Sequence, residues 1–312
     1  MIQYFKNLNG QTIETDQPEK GVWVNLVPPF REEEFVEISH ELNIPIEFLR
    51  DSLDIDERPR FEKEDDVKFV VIKTPTENNS FNDSDAFYIT IPICIILTET
   101  QIVTVNSFDN GAIKKFLHSF QKRHPDHKNI MILKVFEKVV QNFMEFLKEI
   151  NHRRNHYENS LYQSNSNEDL LNLMRIQKSL VYFVTALRSN ELLMMKLERT
   201  NFLQLNEEER ELLNDLIIDT SQALEMANIY TNILTSTLDA FASVISNNLN
   251  SVMKRLTSIT IILSLPALVA AIYGMNVDIP YMHSPHAFYI PVVLSLGVSI
   301  LISWYFMKRK WF

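Results

Sequence analysis

Two stretches near the C-terminal end hold no Asp, Glu, Lys or Arg: residues 256–275 (LTSITIILSLPALVAAIYGM) and 287–307 (AFYIPVVLSLGVSILISWYFM). They constrain the chain most. About 20 apolar residues wound as a helix cross the roughly 30 Å hydrocarbon layer of a bilayer. Two membrane-spanning helices follow as an expectation, with lipid as a partner and the cell (plasma or inner) membrane as the location. A mean hydropathy of −0.09 hides them because it averages over a polar remainder. Lys254 and Arg255 precede the first span, and Lys308, Arg309 and Lys310 follow the second, while the loop 276–286 has neither Lys nor Arg. Basic residues favour the cytoplasmic side, so both termini are expected there.

The remainder excludes several functions. A formal net charge of −10 argues against nucleic acid as a partner, because phosphate binding needs clustered Lys and Arg; an acidic surface favours cations. The N-terminal stretch MIQYFKNLNGQTIETDQPEK lacks a signal-peptide pattern, so the first domain is expected in the cytoplasm. The lone Cys94 lies in an apolar run and suits a buried small hydrophobe in a reducing compartment. No P-loop, GxGxxG or HExxH pattern occurs, so the chain has no residues for ATP-driven pumping or catalysis. Neither an enzyme nor a protein with an organic cofactor is expected.

Up to about residue 125, short apolar runs read as strands: Gly21–Val27, Val67–Lys73, Ala86–Thr90, Ile93–Thr98 and Gln101–Val105. Between the first two, Phe35, Ile38 and Leu42, then Ile46, Leu49 and Leu53, recur at helical spacing. Residues 1–125 are therefore expected to form a cytoplasmic α/β domain. No proline lies between Pro125 and Pro266 and no glycine between Gly111 and Gly274, which predicts long helices, three in all. Their junctions are expected within Asn155–Asp169 and Thr200–Glu209. Residues 126–205 then form a helical hairpin. Residues 206–275 form one helix, capped by Asn206 and continuing into the first span at 256–275. Such a helix would be roughly 100 Å long and would project from the membrane as a stalk. Residues 276–286 make an outer loop, 287–307 the second span and 308–312 a basic cytoplasmic tail. The fold class is α+β with a long helical stalk and two C-terminal transmembrane helices.

Steps of three and four along stalk and first span select Asp239, Ser243, Ser246, Asn250, Met253, Thr257, Thr260, Ser264, Ala267, Ala271 and Gly274. The stripe is polar, then small. Inside a membrane such a face turns toward water or other helices rather than lipid. A pore lining and tight helix packing both satisfy it. Two spans per chain cannot enclose a water-filled path, so a pore requires several copies about an axis.

At the outer end of the first span stands Tyr273-Gly274-Met275-Asn276, followed by a short loop, a second span and the tail KRKWF. This arrangement resembles the CorA family of magnesium (Mg²⁺/Co²⁺) channels, and the resemblance extends over the whole chain. It implies a funnel-shaped homopentamer whose first spans line the pore. Gly274, Met275 and Asn276, with Tyr273 beside them, would form the entrance for a hydrated divalent cation. With the first spans lining the pore, the periodic stripe of Asp239, Asn250, Met253, Thr257, Thr260, Ser264, Ala267 and Ala271, and Leu256 beside it, would be its lining. Asn250 matches a polar pore position of the family, Leu256 a hydrophobic constriction and Asp239 an acidic funnel position; stalk packing for Leu256 and solvated helix faces for the other two are the alternatives. The resemblance implies passive, potential-driven Mg²⁺ influx, with Co²⁺ or Ni²⁺ as secondary ions. Cytoplasmic Mg²⁺ would close the channel by bridging acidic residues between subunits, for which Asp215, Asp219, Asp65 and Asp66 are the candidates. A solvated helix face or acidic run is the alternative reading of these acids. The chain departs from the family at Ser264, where Met is common, and in the loop VDIPYMHSPHA, which lacks Met-Pro-Glu. Asp278 is the only acid of that loop; His283 and His286 lie near it as a conceivable zinc pair or an ordinary surface loop. Zn²⁺ transport by the same fold, and a non-conducting anchor or sensor, are the competing functions.

Overall fold

The computed structural model describes residues 2–8, 11–15, 22–27, 30, 32–78, 86–106, 128–164, 167–275 and 285–309. Two compact units result, Met1–Thr235 and Ser236–Phe312.

In the first unit, the strands are β1 (Ile2–Leu8), β2 (Gln11–Thr15), β3 (Trp23–Leu26), β4 (Arg60–Glu64), β5 (Val67–Glu77), β6 (Tyr88–Leu97) and β7 (Ile102–Asn106). They form one sheet in the order β2-β1-β3-β7-β6-β5-β4. Only the β3–β7 pair is parallel. On one face lie the helices α1 (Glu32–Leu42) and α2 (Ile46–Asp51), whose Phe35, Ile38, Phe48 and Leu49 share a core with Phe69, Val71, Cys94 and Val103. The other face carries α3 (Lys128–Ser164) and α4 (Asn167–Thr200), which pack on β5 and β6. There Tyr88 meets Phe146 edge-on at 5.0 Å and Phe143 meets Phe183 at 5.4 Å. Both faces being covered, β3 and β6 are buried almost throughout and read as largely apolar runs. A buried polar chain crosses the sheet: Trp23 Nε1 donates to Thr104 Oγ1 (3.0 Å), which donates to Asn25 Oδ1 (2.8 Å), and Asn25 Nδ2 donates to Gln3 Oε1 (3.0 Å).

Ala86–Thr90 and Ile93–Thr98 turn out to be a single strand that runs through Pro92. Pro92 stands opposite Lys73. The Lys73 N–H donates to Asn190 Oδ1 (3.0 Å) and its carbonyl accepts from Asn190 Nδ2 (2.8 Å), so Lys73 makes no ladder bond to β6. A proline facing it therefore removes no bond from that ladder. The same edge of β5, beyond the point where β4 ends opposite Val71, is served again by Asn142, whose Nδ2 donates to the Pro75 carbonyl at 3.0 Å. Strands β1, β2 and β4 were not foreseen, because near the sheet margins their sequences are too polar to give an apolar run. Gly21, at the start of the first expected strand, lies outside the described residues.

The expected break within Asn155–Asp169 is narrower than composition implies, since α3 runs to Ser164 and α4 starts at Asn167. Tertiary contacts hold the polar stretch helical. Leu161 is buried, Tyr157 stacks on Phe87 at 6.3 Å, and Ser160 Oγ donates to Asp169 Oδ2 at 2.7 Å. The second junction is a capping box. Asn206 Oδ1 accepts from the Glu209 N–H (2.8 Å) and Glu209 Oε2 accepts from the Asn206 N–H (3.0 Å). It starts α5 (Glu207–Tyr273), a helix of 67 residues with Pro266 inside it.

In the second unit, α5 continues to Tyr273 and is joined by α6 (Tyr289–Lys308, 20 residues). Both helices are long and apolar enough to cross a membrane.

Candidate ion pathway in the C-terminal helices

Along the two candidate spans the fully buried residues are small. On α6 these are Pro291, Ser295 and Ser299, at intervals of four, and on α5 Ser258 is buried while Ile262, Leu265, Pro266 and Val269 are half-buried. At 3.6 residues per turn the α5 positions share one side of the helix. The Ser299 hydroxyl crosses from α6 to the Ile262 carbonyl, 3.3 Å away, which identifies this side as the one packed on the second span. Many outward positions are large and apolar, as Leu263 at 67% exposure and Ile300 at 68% illustrate. In water such a surface would be untenable, whereas lipid covers it.

The polar and small stripe lies on the other side of α5. Thr257, Thr260, Ser264, Ala267 and Ala271 are all exposed and point nearly opposite to the Ser258–Val269 side. Further toward the N-terminus Asp239, Asn250, Met253 and Leu256 are exposed as well. The second span therefore leaves the stripe uncovered within one chain. Thr260 donates its hydroxyl to the Leu256 carbonyl (2.9 Å) and Ser264 to the Ile261 carbonyl (2.9 Å). With its proton engaged by the backbone, each oxygen turns lone pairs outward, which suits a hydrated cation.

At the end of α5 the Gly274 N–H donates to the Ala270 carbonyl (2.9 Å) and the Met275 N–H to the Ile272 carbonyl (3.3 Å). A Cβ at Gly274 would meet that Ala270 oxygen at 3.3 Å, tighter than most side chains tolerate, so glycine closes the last turn without displacement. Tyr273 and Met275 are exposed. Asn276 lies outside the described residues, as do Asp278, His283 and Lys310.

The four acids considered for metal sensing are exposed and fall in two places. Asp215 and Asp219 stand one turn apart on α5. Asp65 and Asp66 form the tip of the β4–β5 hairpin, where Asp65 has φ 50°, a left-handed conformation that Asp tolerates better than most residues. Both border an open hollow of about 610 Å³ with His40, Glu64 and Glu99. Among the described residues no three His, Cys, Asp or Glu side chains come together as a metal-holding group. Missed in the sequence were Ser258, Ser295 and Ser299; the spacing of the last two by four was the available signal.

The family profile of the CorA-like Mg²⁺ transporter protein matches residues 18–309. The chain belongs to the CorA family. The cobalt/magnesium transport protein CorA of Methanocaldococcus jannaschii is 24% identical over 294 residues, covering 93% of this chain and 91% of that protein. Its counterpart from Thermotoga maritima is 22% identical over 320 residues, covering 99% and 90%. The complete structure of the M. jannaschii CorA magnesium transporter superposes with a TM-score of 0.85 at 22% identity, covering 100% of this chain and 99% of that one. The fold is thus CorA-like throughout, and the protein is a membrane protein of a transporter family.

Proposed function

We propose that the protein is a magnesium channel that admits Mg²⁺ passively, down the membrane potential, with Co²⁺ or Ni²⁺ as secondary ions. The observation that carries this reading is the position of the stripe. It lies on the side of α5 away from the second span, where it can face a shared axis and no described residue of its own chain covers it. Several copies are needed to enclose a path, and the CorA fold supports a homopentamer with both termini in the cytoplasm. Gly274, Met275 and Asn276 stand at the outer mouth. Mg²⁺ releases its water reluctantly, so a ring of Asn276 side-chain carbonyls would hold the intact hydration shell. Thr257, Thr260 and Ser264 would then pass the ion along acceptor oxygens toward Asn250 and Asp239. Regulation by cytoplasmic Mg²⁺ would run through Asp215 or Asp219 of one chain and acids of a neighbour.

Mg²⁺ influx into dye-loaded proteoliposomes under an inside-negative potential tests this. Flux in the unaltered protein, abolished in Asn276→Ala, supports the channel. A stronger response to Zn²⁺ than to Mg²⁺ would make it a zinc transporter of the same fold, and no flux of any ion would leave an anchor or sensor.

A further inference from the structure

Pro266 interrupts the internal bonding of α5 at membrane depth. In a regular helix the N–H of residue 266 would donate to the carbonyl of residue 262, and proline has no N–H. The Ile262 carbonyl thereby loses its regular donor in a region where water is excluded. Three nearby hydroxyls of α5 are engaged elsewhere: Ser258 bonds the Lys254 carbonyl, Thr260 that of Leu256, and Ser264 that of Ile261. The donor that reaches Ile262 comes from the other helix. Ser299 Oγ lies 3.3 Å from that carbonyl and is buried, whereas Ser295, one turn away, bonds the Val292 carbonyl of its own helix.

We propose that Ser299 stands in for the missing Pro266 N–H, and that this bond fixes the course of the first span at the proline to the second span. Pro266 is on the packed side of α5 and the stripe on the opposite side. A change of bend or rotation at the proline therefore shifts Ala267 and Ala271, beyond it, relative to Thr260 and Ser264, before it. Ser299 is a positioning residue for the pathway, which it does not line. The bond stands on geometry alone; its bearing on transport rests on the channel reading.

The test is a double-mutant cycle in the full-length protein in lipid vesicles. The readouts are the carbonyl ¹³C shift of Ile262 and Mg²⁺ influx; ¹³C-Ile/¹⁵N-Leu pair labelling reports Ile262 together with the pairs at 96–97, 132–133, 233–234 and 300–301, and its signal is the one lost in Leu263→Val. Ser299→Ala is expected to move the Ile262 signal upfield, and Ser299→Thr, which keeps a hydroxyl, to restore it. In a Pro266→Ala background residue 266 regains its N–H, so adding Ser299→Ala should leave the signal in place. The change in influx caused by Ser299→Ala should likewise shrink toward one-fold in that background. An Ile262 signal indifferent to Ser299→Ala, or shifted equally in both backgrounds, overturns the bond. A shifted signal with unchanged influx overturns the positioning role. Absence of influx in the unaltered protein overturns the channel reading instead, and the carbonyl shift then decides for or against the bond alone.

Discussion

The sheet-containing unit and the pair of C-terminal helices use opposite solvents. In the first, Phe69, Phe143 and Phe183 are inside, and buried polar groups such as Asn25 and Thr104 bond to one another. In the second, most Leu, Ile and Val are outside, whereas Ser258, Ser295 and Ser299 are buried. Water drives apolar side chains together, so the first unit is organised by hydrophobic burial. Lipid tails are as apolar as leucine and supply no such drive, which leaves close contact between small residues and hydrogen bonds to hold the spans. The same fractional exposure thus has opposite meanings in the two units.

The largest expected effect exploits this inversion. Leu268 and Leu171 are exposed to nearly the same degree, 59% and 58%. Asp at the centre of a membrane helix costs about 2.5–3.5 kcal/mol, so Leu268→Asp should sharply reduce membrane insertion, scored by glycosylation mapping of the first span. Leu171→Asp should change the thermal stability by no more than about 0.5 kcal/mol. Equal costs at the two sites would break the comparison.

A smaller effect probes the first unit alone. Asn190→Leu keeps the branching at Cγ and leaves the Lys73 N–H and C=O without partners. The expected loss is about 1–3 kcal/mol, read as a lower denaturation midpoint of the full chain in detergent. An unchanged midpoint would mean that water takes over those groups.

The last effect appears only at alkaline pH. Burial pushes the Cys94 thiol up from 9.0 to about 12. Above pH 9 the unfolded chain loses this proton while the folded one keeps it, so stability present below pH 9 declines as pH rises toward 12. A Cys94→Ala protein should show a shallower decline between those limits; the same slope would remove Cys94 from the account.

Legibility in the sequence followed the same division. The two spans and the long helices were readable because an uncharged run and the lack of glycine and proline are local signals, and Asn206 announced its cap three residues ahead of Glu209. The sheet was read in part, as buried strands without their polar edge partners β1, β2 and β4, whose existence depends on neighbours distant in sequence. Helix α3 outran its polar composition because Tyr157 and Leu161 find tertiary contacts that composition cannot reveal. At the candidate site, periodicity selected the stripe. It could not say which side α6 would cover, since that requires the second helix in place, and for the same reason it passed over Ser299.

The way β5 ends its pairing has one more consequence. Past Val71 its outer edge is an open row of backbone donors and acceptors, the kind of template on which another chain can add a strand and begin to aggregate. Asn190 and Asn142 fill part of that row with side-chain amides, mimicking a neighbouring strand without being one. The edge is thereby closed to outside chains from within the fold. Both amides come from α3 and α4, so the seal needs neither membrane-length helix.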